Sequence, residues 1–258
     1  MLWRKNLKLF VIEKFCNYCL YLRVKILLLI KQLNIMKKPH LLLLGIFLML
    51  NFLVSAQHKI QMIDIDHGNG FWQNAYVLYN TETKDAIIVD PGKIDQQIED
   101  FVEENGLKVK AIFNTHGHGD HVGGNMHYKD LYRVAIYAHT KEAYMYRKNK
   151  QSISFFDENS VPKIDGFHNL KIYHIPGHTM GSIAMHIADI LITGDTLQKE
   201  GIGSTPGRTD EEDEKYTQME LNSIRSQLMV LPDKILIYPG HGYESSIGHE
   251  RINNSWLK

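Results

Sequence analysis

Thr115-His116-Gly117-His118-Gly119-Asp120-His121 sets four metal-binding side chains within six residues, and His178, Asp195 and His241 offer three more donors downstream. Neutral imidazole and carboxylate are ligands that zinc and iron accept, and seven of them suffice for two ions that share one bridging group. His116 and His118 alternate by two along an extended loop, so both rings can face the same way. With His178 they could form a three-histidine set that leaves a position open for water. Asp120 and His121 point away from that pair and, with His241, could hold a second ion. Asp195 carries an oxygen that can bridge both ions.

Such donors must be carried by rigid elements. From Lys59 onward the chain alternates short segments, without repeats or a Pro/Ser-rich linker. The patterning predicts strands over 59–66, 71–79, 86–89, 109–113, 133–138, 170–175, 182–187, 189–193 and 234–238. Helices are predicted over 94–105, 140–148 and 211–229, the last beginning at Asp210-Glu211-Glu212, acids that suit a helix N-terminus. The polar stretch 149–167 reads as a linker in which Ser154-Phe155-Phe156 is either a lid or an anchor in the core. Each donor group falls just beyond the end of a predicted strand or at a strand-to-strand turn. Loops at one sheet edge can therefore gather donors 125 residues apart into one centre.

At this point the chain resembles the metallo-β-lactamase superfamily. Thr115–Asn125 (THGHGDHVGGN), Pro176–Ser182 (PGHTMGS), Thr193-Gly194-Asp195 and Pro239–Gly242 (PGHG) match its successive motifs in order, over about residues 60–256. The tail Ile247-Gly248-His249-Glu250-Arg251-Ile252-Asn253-Asn254 is similar to that of short glyoxalase II-like hydrolases. The resemblance implies a four-layer αββα sandwich of α/β class with a dinuclear centre. His116, His118 and His178 would hold one metal, Asp120, His121 and His241 the other, and Asp195 would lie between. Asp120 and Asp195 are the catalytic carboxylates in this reading, and Asp90 falls where a carboxylate can orient a ligating histidine. The cofactors implied are two divalent ions, zinc first, with iron or manganese as alternatives. The reaction implied is hydrolysis of a thioester or related acyl bond of a small molecule by a metal-bridging hydroxide. The chain stops 17 residues after His241, so the C-terminal helical domain of longer glyoxalase II enzymes is expected to be absent. The segment 198–210 departs from the usual pattern, with Gly207-Arg208-Thr209-Asp210 displaced as if by an insertion.

Three other readings fit parts of the same set. A secreted lactonase or β-lactamase-like hydrolase fits an exported chain, although Asp195 opposes the β-lactamase. A mononuclear iron persulfide dioxygenase would use only His116, His178 and Asp195. A non-catalytic metal-binding module would leave seven intact donors without a task. The remaining histidines, among them His67, His127, His139, His174 and His186, lack motif context and read as surface or packing residues; His174, four residues before His178, reads as a strand residue at the core edge.

Composition bounds the partners. The net charge is zero over 258 residues, with 29 basic and 29 acidic side chains, but residues 1–38 hold nine of the basic ones and a single acid, Glu13. The remainder from 57 to 258 therefore carries 20 basic and 28 acidic residues, a net of −8 that disfavours nucleic acid as a partner. Met36-Lys37-Lys38 followed by the apolar run Leu41–Val54 and by Ser55-Ala56 has the layout of a signal peptide over 36–56, cleaved near Ala56-Gln57. That run is shorter than the roughly 18–20 residues of a spanning helix, so a secreted or periplasmic domain over 57–258 with no stable membrane partner is expected. Residues 1–35 read as a leader or an over-extended gene start. Both cysteines, Cys16 and Cys19, lie there, which leaves 57–258 without a thiolate ligand or a disulfide.

Overall fold

In the computed structural model the described residues are 57–258. The expectations for the 1–35 leader, the 36–56 signal peptide and the Cys16/Cys19 pair fall outside them.

Apolar strands that stay buried on both faces need cover on both sides, and this chain supplies it with two sheets and flanking helices. The first sheet joins β1 (His58–Gly68), β2 (Phe71–Asn80), β3 (Asp85–Val89), β4 (Lys108–Phe113), β5 (Ala135–His139) and β6 (Ile153–Phe156) in sequential order. The pairs β1–β2 and β2–β3 are antiparallel, whereas β3 to β6 run parallel. The crossovers contain α1 (Gln96–Glu104) between β3 and β4, and α2 (Gly119–Val122) and α3 (Asn125–Tyr132) between β4 and β5. The second sheet has the order β13-β12-β9-β8-β7, with β7 (Lys171–His174), β8 (Ile183–Ile187), β9 (Ile190–Gly194), β12 (Leu236–Pro239) and β13 (Ser245–Ser246). Between them lie the small hairpin β10 (Leu197–Gln198) and β11 (Gly201–Ile202), then α4 (Asp210–Ser223); α5 (Ile247–Asn253) follows β13.

Strand parity defines the layers. Tyr76, Leu78, Ile87, Val89, Ala111 and Phe113 meet Ile183, Met185, Ile187, Ile190 and Ile192 in the core between the sheets. Their alternates Ala75, Val77, Ala86, Ile88 and Ile112 pack outward against Ile98 and Val102 of α1 and Tyr128 of α3. On the other side Ala184, Leu191 and Ile237 pack against Ile224 and Leu228, which lie in a π-helical continuation of α4. Helix, sheet, sheet, helix is the expected sandwich.

Local signals set the helix ends. Asp95 caps α1 by accepting from Gln97 N–H, and Gly106 takes φ +60° just beyond it. Thr209 caps α4 by accepting from Glu212 N–H. One expectation is corrected, one open alternative is decided, and one element is new. Residues 140–148 form no helix: only a 3-10 turn over Thr140–Glu142 exists, because Glu142 is drawn fully into the interior. The 149–167 stretch contains a strand, β6, whose Phe156 is buried in the inter-sheet core, so the Phe155-Phe156 pair is an anchor and not a lid. The unanticipated α3 occupies 125–132, buries Tyr128, and ends at Arg133 with φ +55°.

Candidate metal centre

Strands β3, β4, β7, β9 and β12 each end just before a residue of the centre: Asp90, His116, His178, Asp195 and His241 respectively. All seven sequence-derived donors come together there. His116 Nε2, His118 Nδ1 and His178 Nε2 form a triangle with sides of 3.0, 3.0 and 3.2 Å. The three rings stand edge-on to one another, at 81° to 89°. In the second group, His241 Nε2 is 3.3 Å and His121 Nε2 3.6 Å from Asp120 Oδ2. Asp195 faces both groups: Oδ1 is 3.3 Å from His121 Nε2, and Oδ2 is 3.3 Å from His241 Nε2 and 3.6 Å from His178 Nε2.

Outer partners fix which nitrogen is free on four of the five rings, all but His118. His121 Nδ1 donates to Asp90 Oδ2 at 3.0 Å, His178 Nδ1 to Ser204 O at 2.6 Å, and His241 Nδ1 to Trp72 O at 2.7 Å. Thr115 Oγ1 lies 3.1 Å from His116 Nδ1 and donates to Asp90 Oδ2 at 2.5 Å. Asp90 also accepts from Thr115 N–H at 2.7 Å, so its buried carboxylate is fully used in orientation, as its position suggested. Signals for Trp72 and Ser204 were absent from the sequence, because a backbone carbonyl acts the same whatever side chain it carries.

With these protons assigned, Nε2 of His116 and His178 are lone pairs that cannot bond each other. Likewise His121 Nε2 and Asp195 Oδ1 face each other while buried, and neither has a hydrogen-bond partner. Lone pairs of uncharged rings converging on carboxylate oxygens repel unless a cation lies among them. Tetrahedral zinc with ligands at about 2.0–2.1 Å would space its donors by roughly 3.3–3.4 Å, a few tenths of an ångström above the distances in the triangle. The residues thus fit two divalent cations.

Electrostatics agree. Burial pushes His116 well below the usual imidazole range and also lowers His178, which keeps them in the neutral, ligating form. Burial acts the same way on His121, but the Asp195 and Asp90 carboxylates outweigh it and push it up to about 10. His241 likewise rises to about 10, its burial outweighed by bonds to Asp120 and Asp195. Against burial, His121 and its neighbours hold Asp195 well below the carboxylate range. This half of the site demands positive charge, and a metal ion or protons can provide it.

The other histidines separate by geometry. His127 pairs with Glu99 at 2.8 Å, and His186 lies 3.0 Å from Ala188 O, as surface residues do. His139, His174 and Glu158 gather into a second cluster beyond the packing role expected of them. There the two rings stack at 4.2 Å and 18°, and His174 Nδ1 at 2.8 Å and His139 Nε2 at 3.7 Å both face Oε1 of the exposed Glu158.

Residues 69–241 match the family described as the Metallo-beta-lactamase superfamily. The chain belongs to that superfamily. It is 34% identical over 213 residues to the hydroxyacylglutathione hydrolase GloC of Haemophilus influenzae, an alignment covering 76% of this chain and 97% of that protein. It is also 30% identical to a probable metallo-hydrolase, YqgX, of Bacillus subtilis, over 71% of this chain and 92% of the relative. Among solved structures, the B3 metallo-beta-lactamase BLEG-1 superposes with a TM-score of 0.65 at 28% identity, over 77% of this chain and 99% of its own.

Proposed function

We propose that this metallo-hydrolase cleaves a thioester of a small acyl compound, with zinc as the metal. The observation that carries the reading is Asp195, whose two oxygens face the two donor groups at once. His116 Nε2, His118 Nδ1 and His178 Nε2 would hold one cation; Asp120 Oδ2, His121 Nε2 and His241 Nε2 would hold the other. When bound, two such cations supply a water of lowered pKa and a Lewis acid for the acyl carbonyl.

The chain's own groups account for the rest. Asp195 keeps the donor groups in register, while Asp120, with a side chain 22% exposed against 9% for Asp195, provides the carboxylate through which a proton reaches solvent. Phe71 lies 5.3 Å from the His241 ring, and Phe71 and Trp72 are half exposed, giving the acyl chain an apolar surface beside the second group. A thiolate leaves readily near neutral pH because its conjugate acid has a pKa of about 8.5, whereas an amine must first be protonated. This difference and the similarity to a hydroxyacylglutathione hydrolase favour a thioester over a lactam. A lactonase or β-lactamase-like activity is the second reading, favoured by the likeness to BLEG-1.

Metal quantification on the purified protein, followed by a panel of glutathione thioesters, lactones and nitrocefin, tests the proposal. Two zinc ions per chain and thioester turnover at least tenfold above the other classes are expected. One iron per chain with oxygen consumption would replace the hydrolase by the dioxygenase, and rapid nitrocefin turnover would displace the thioester.

A further inference from the structure

Glu142 ends the 3-10 turn after β5, and it is fully buried at 0% exposure. Its Oε2 accepts from Gly117 N–H at 2.7 Å and its Oε1 from Gly181 N–H at 2.6 Å. Gly117 lies between His116 and His118, and Gly181 lies three residues after His178. One carboxyl group therefore spans the two loops that carry the three-histidine triangle. It lies flush against both backbones: a Cβ on Gly117 would come within 2.9 Å of Oε2, and one on Gly181 within 2.7 Å of Oε1. That contact accounts for glycine at 181; at 117 it acts together with Met145, whose Cβ would lie 2.6 Å away. The two segments are otherwise tied by Ile183 N–H to Thr115 O at 2.9 Å, one residue before the first donor.

We infer that Glu142 is a positioning residue that sets the spacing of His178 relative to His116 and His118, and so the metal affinity of that group. The inference rests on the reading of these histidines as a metal set. The two N–H groups it binds belong to the ligand loops themselves, so a shift of the carboxyl moves nitrogen donors that stand only 3.0 to 3.2 Å apart. Groups of this kind that orient ligands typically change metal affinity by about 10–100-fold when removed.

Cobalt(II) titration of the full chain after chelator treatment tests this, read by competition and by the visible d–d spectrum beside the melting point of the metal-free protein. In Glu142→Gln the amide nitrogen must face one of the two N–H donors, so one bond is lost. One of the two cobalt ions should then bind about 10–100-fold more weakly with an altered spectrum, while the other binds as in the wild type. Glu142→Asp, too short to reach both loops, should behave alike and serves if the glutamine variant does not fold. A lower melting point with unchanged affinity and spectrum overturns the inference, because a merely structural role predicts that result. Wild-type protein that takes up no cobalt overturns the metal reading, and the inference with it.

Discussion

Four of the candidate histidine donors, His116, His121, His178 and His241, each have an outer partner that decides which nitrogen the ring presents. Asp90 holds His121 through Nδ1 and Thr115 through both its N–H and its hydroxyl. Replacing it with alanine leaves three buried donors unpaired and frees the His121 ring to turn. Asp90→Ala should weaken binding of the second metal by about 10–100-fold, measured by chelator competition; unchanged stoichiometry and affinity would deny Asp90 this role. Protonation gives a second residue-scale prediction, for the metal-free chain. His121 and His241 are raised from 6.5 to about 10, so the stability they contribute is complete below pH 6.5 and lost as pH rises through about 10. His116 and His178 are depressed by burial, so the unfolded chain binds protons more readily and stability falls as pH drops past 6.5. The melting temperature without metal should peak near pH 6.5, and a monotonic profile from pH 5 to 10 would contradict this assignment.

At the scale of elements, the donors depend on loops that pass so close to one another that only glycine fits. A Cβ on Gly240 would collide with Asp195 Oδ1 and come within 2.7 Å of His121 Cε1, and one on Gly203 would come within 2.8 Å of His178 Nδ1. Neither glycine has the positive φ that would explain it by conformation; close approach does. Gly240→Ala should therefore displace Asp195 and lower hydrolytic activity by 10-fold or more, beside the loss of about 1–3 kcal/mol of stability that overpacking brings. Equal activity in that variant would mean that the loop yields without moving the carboxylate. The segment after Asp195, unusual in sequence, gains a purpose here: it folds through the β10–β11 hairpin and returns Ser204 O to His178.

For the molecule as a whole, the site's precision comes from the core that fixes the two sheets against each other. Strands β3 and β4 of one sheet and β7, β9 and β12 of the other deliver their donors only if the inter-sheet layer is filled. Leu78 lies in that layer at 0% exposure, far from any donor in sequence. Leu78→Ala should cost about 2–5 kcal/mol of stability, read from urea unfolding of the metal-loaded protein. A loss below about 1 kcal/mol would show that the layer is looser than its burial implies.

The seven candidate donors and their placement after strand ends were legible from the sequence, because metal ligation needs particular side chains, whereas the four-layer architecture was implied by the resemblance of its motifs to a known superfamily. The errors arose where tertiary contacts overrode local pattern. Residues 140–148 have helical composition, yet the demand of Gly117 and Gly181 N–H for an acceptor draws Glu142 inward after a single turn. Phe155-Phe156 could be read as a lid or a core anchor from its polar stretch, and only pairing with β5, which buries Phe156, decided for the anchor. By itself the sequence determined which groups are candidate donors and roughly where they lie along the chain. Only the tertiary structure decided which nitrogen the rings of His116, His121, His178 and His241 present, since that choice belongs to Asp90, Thr115 and the carbonyls of Trp72 and Ser204, partners brought close by folding alone.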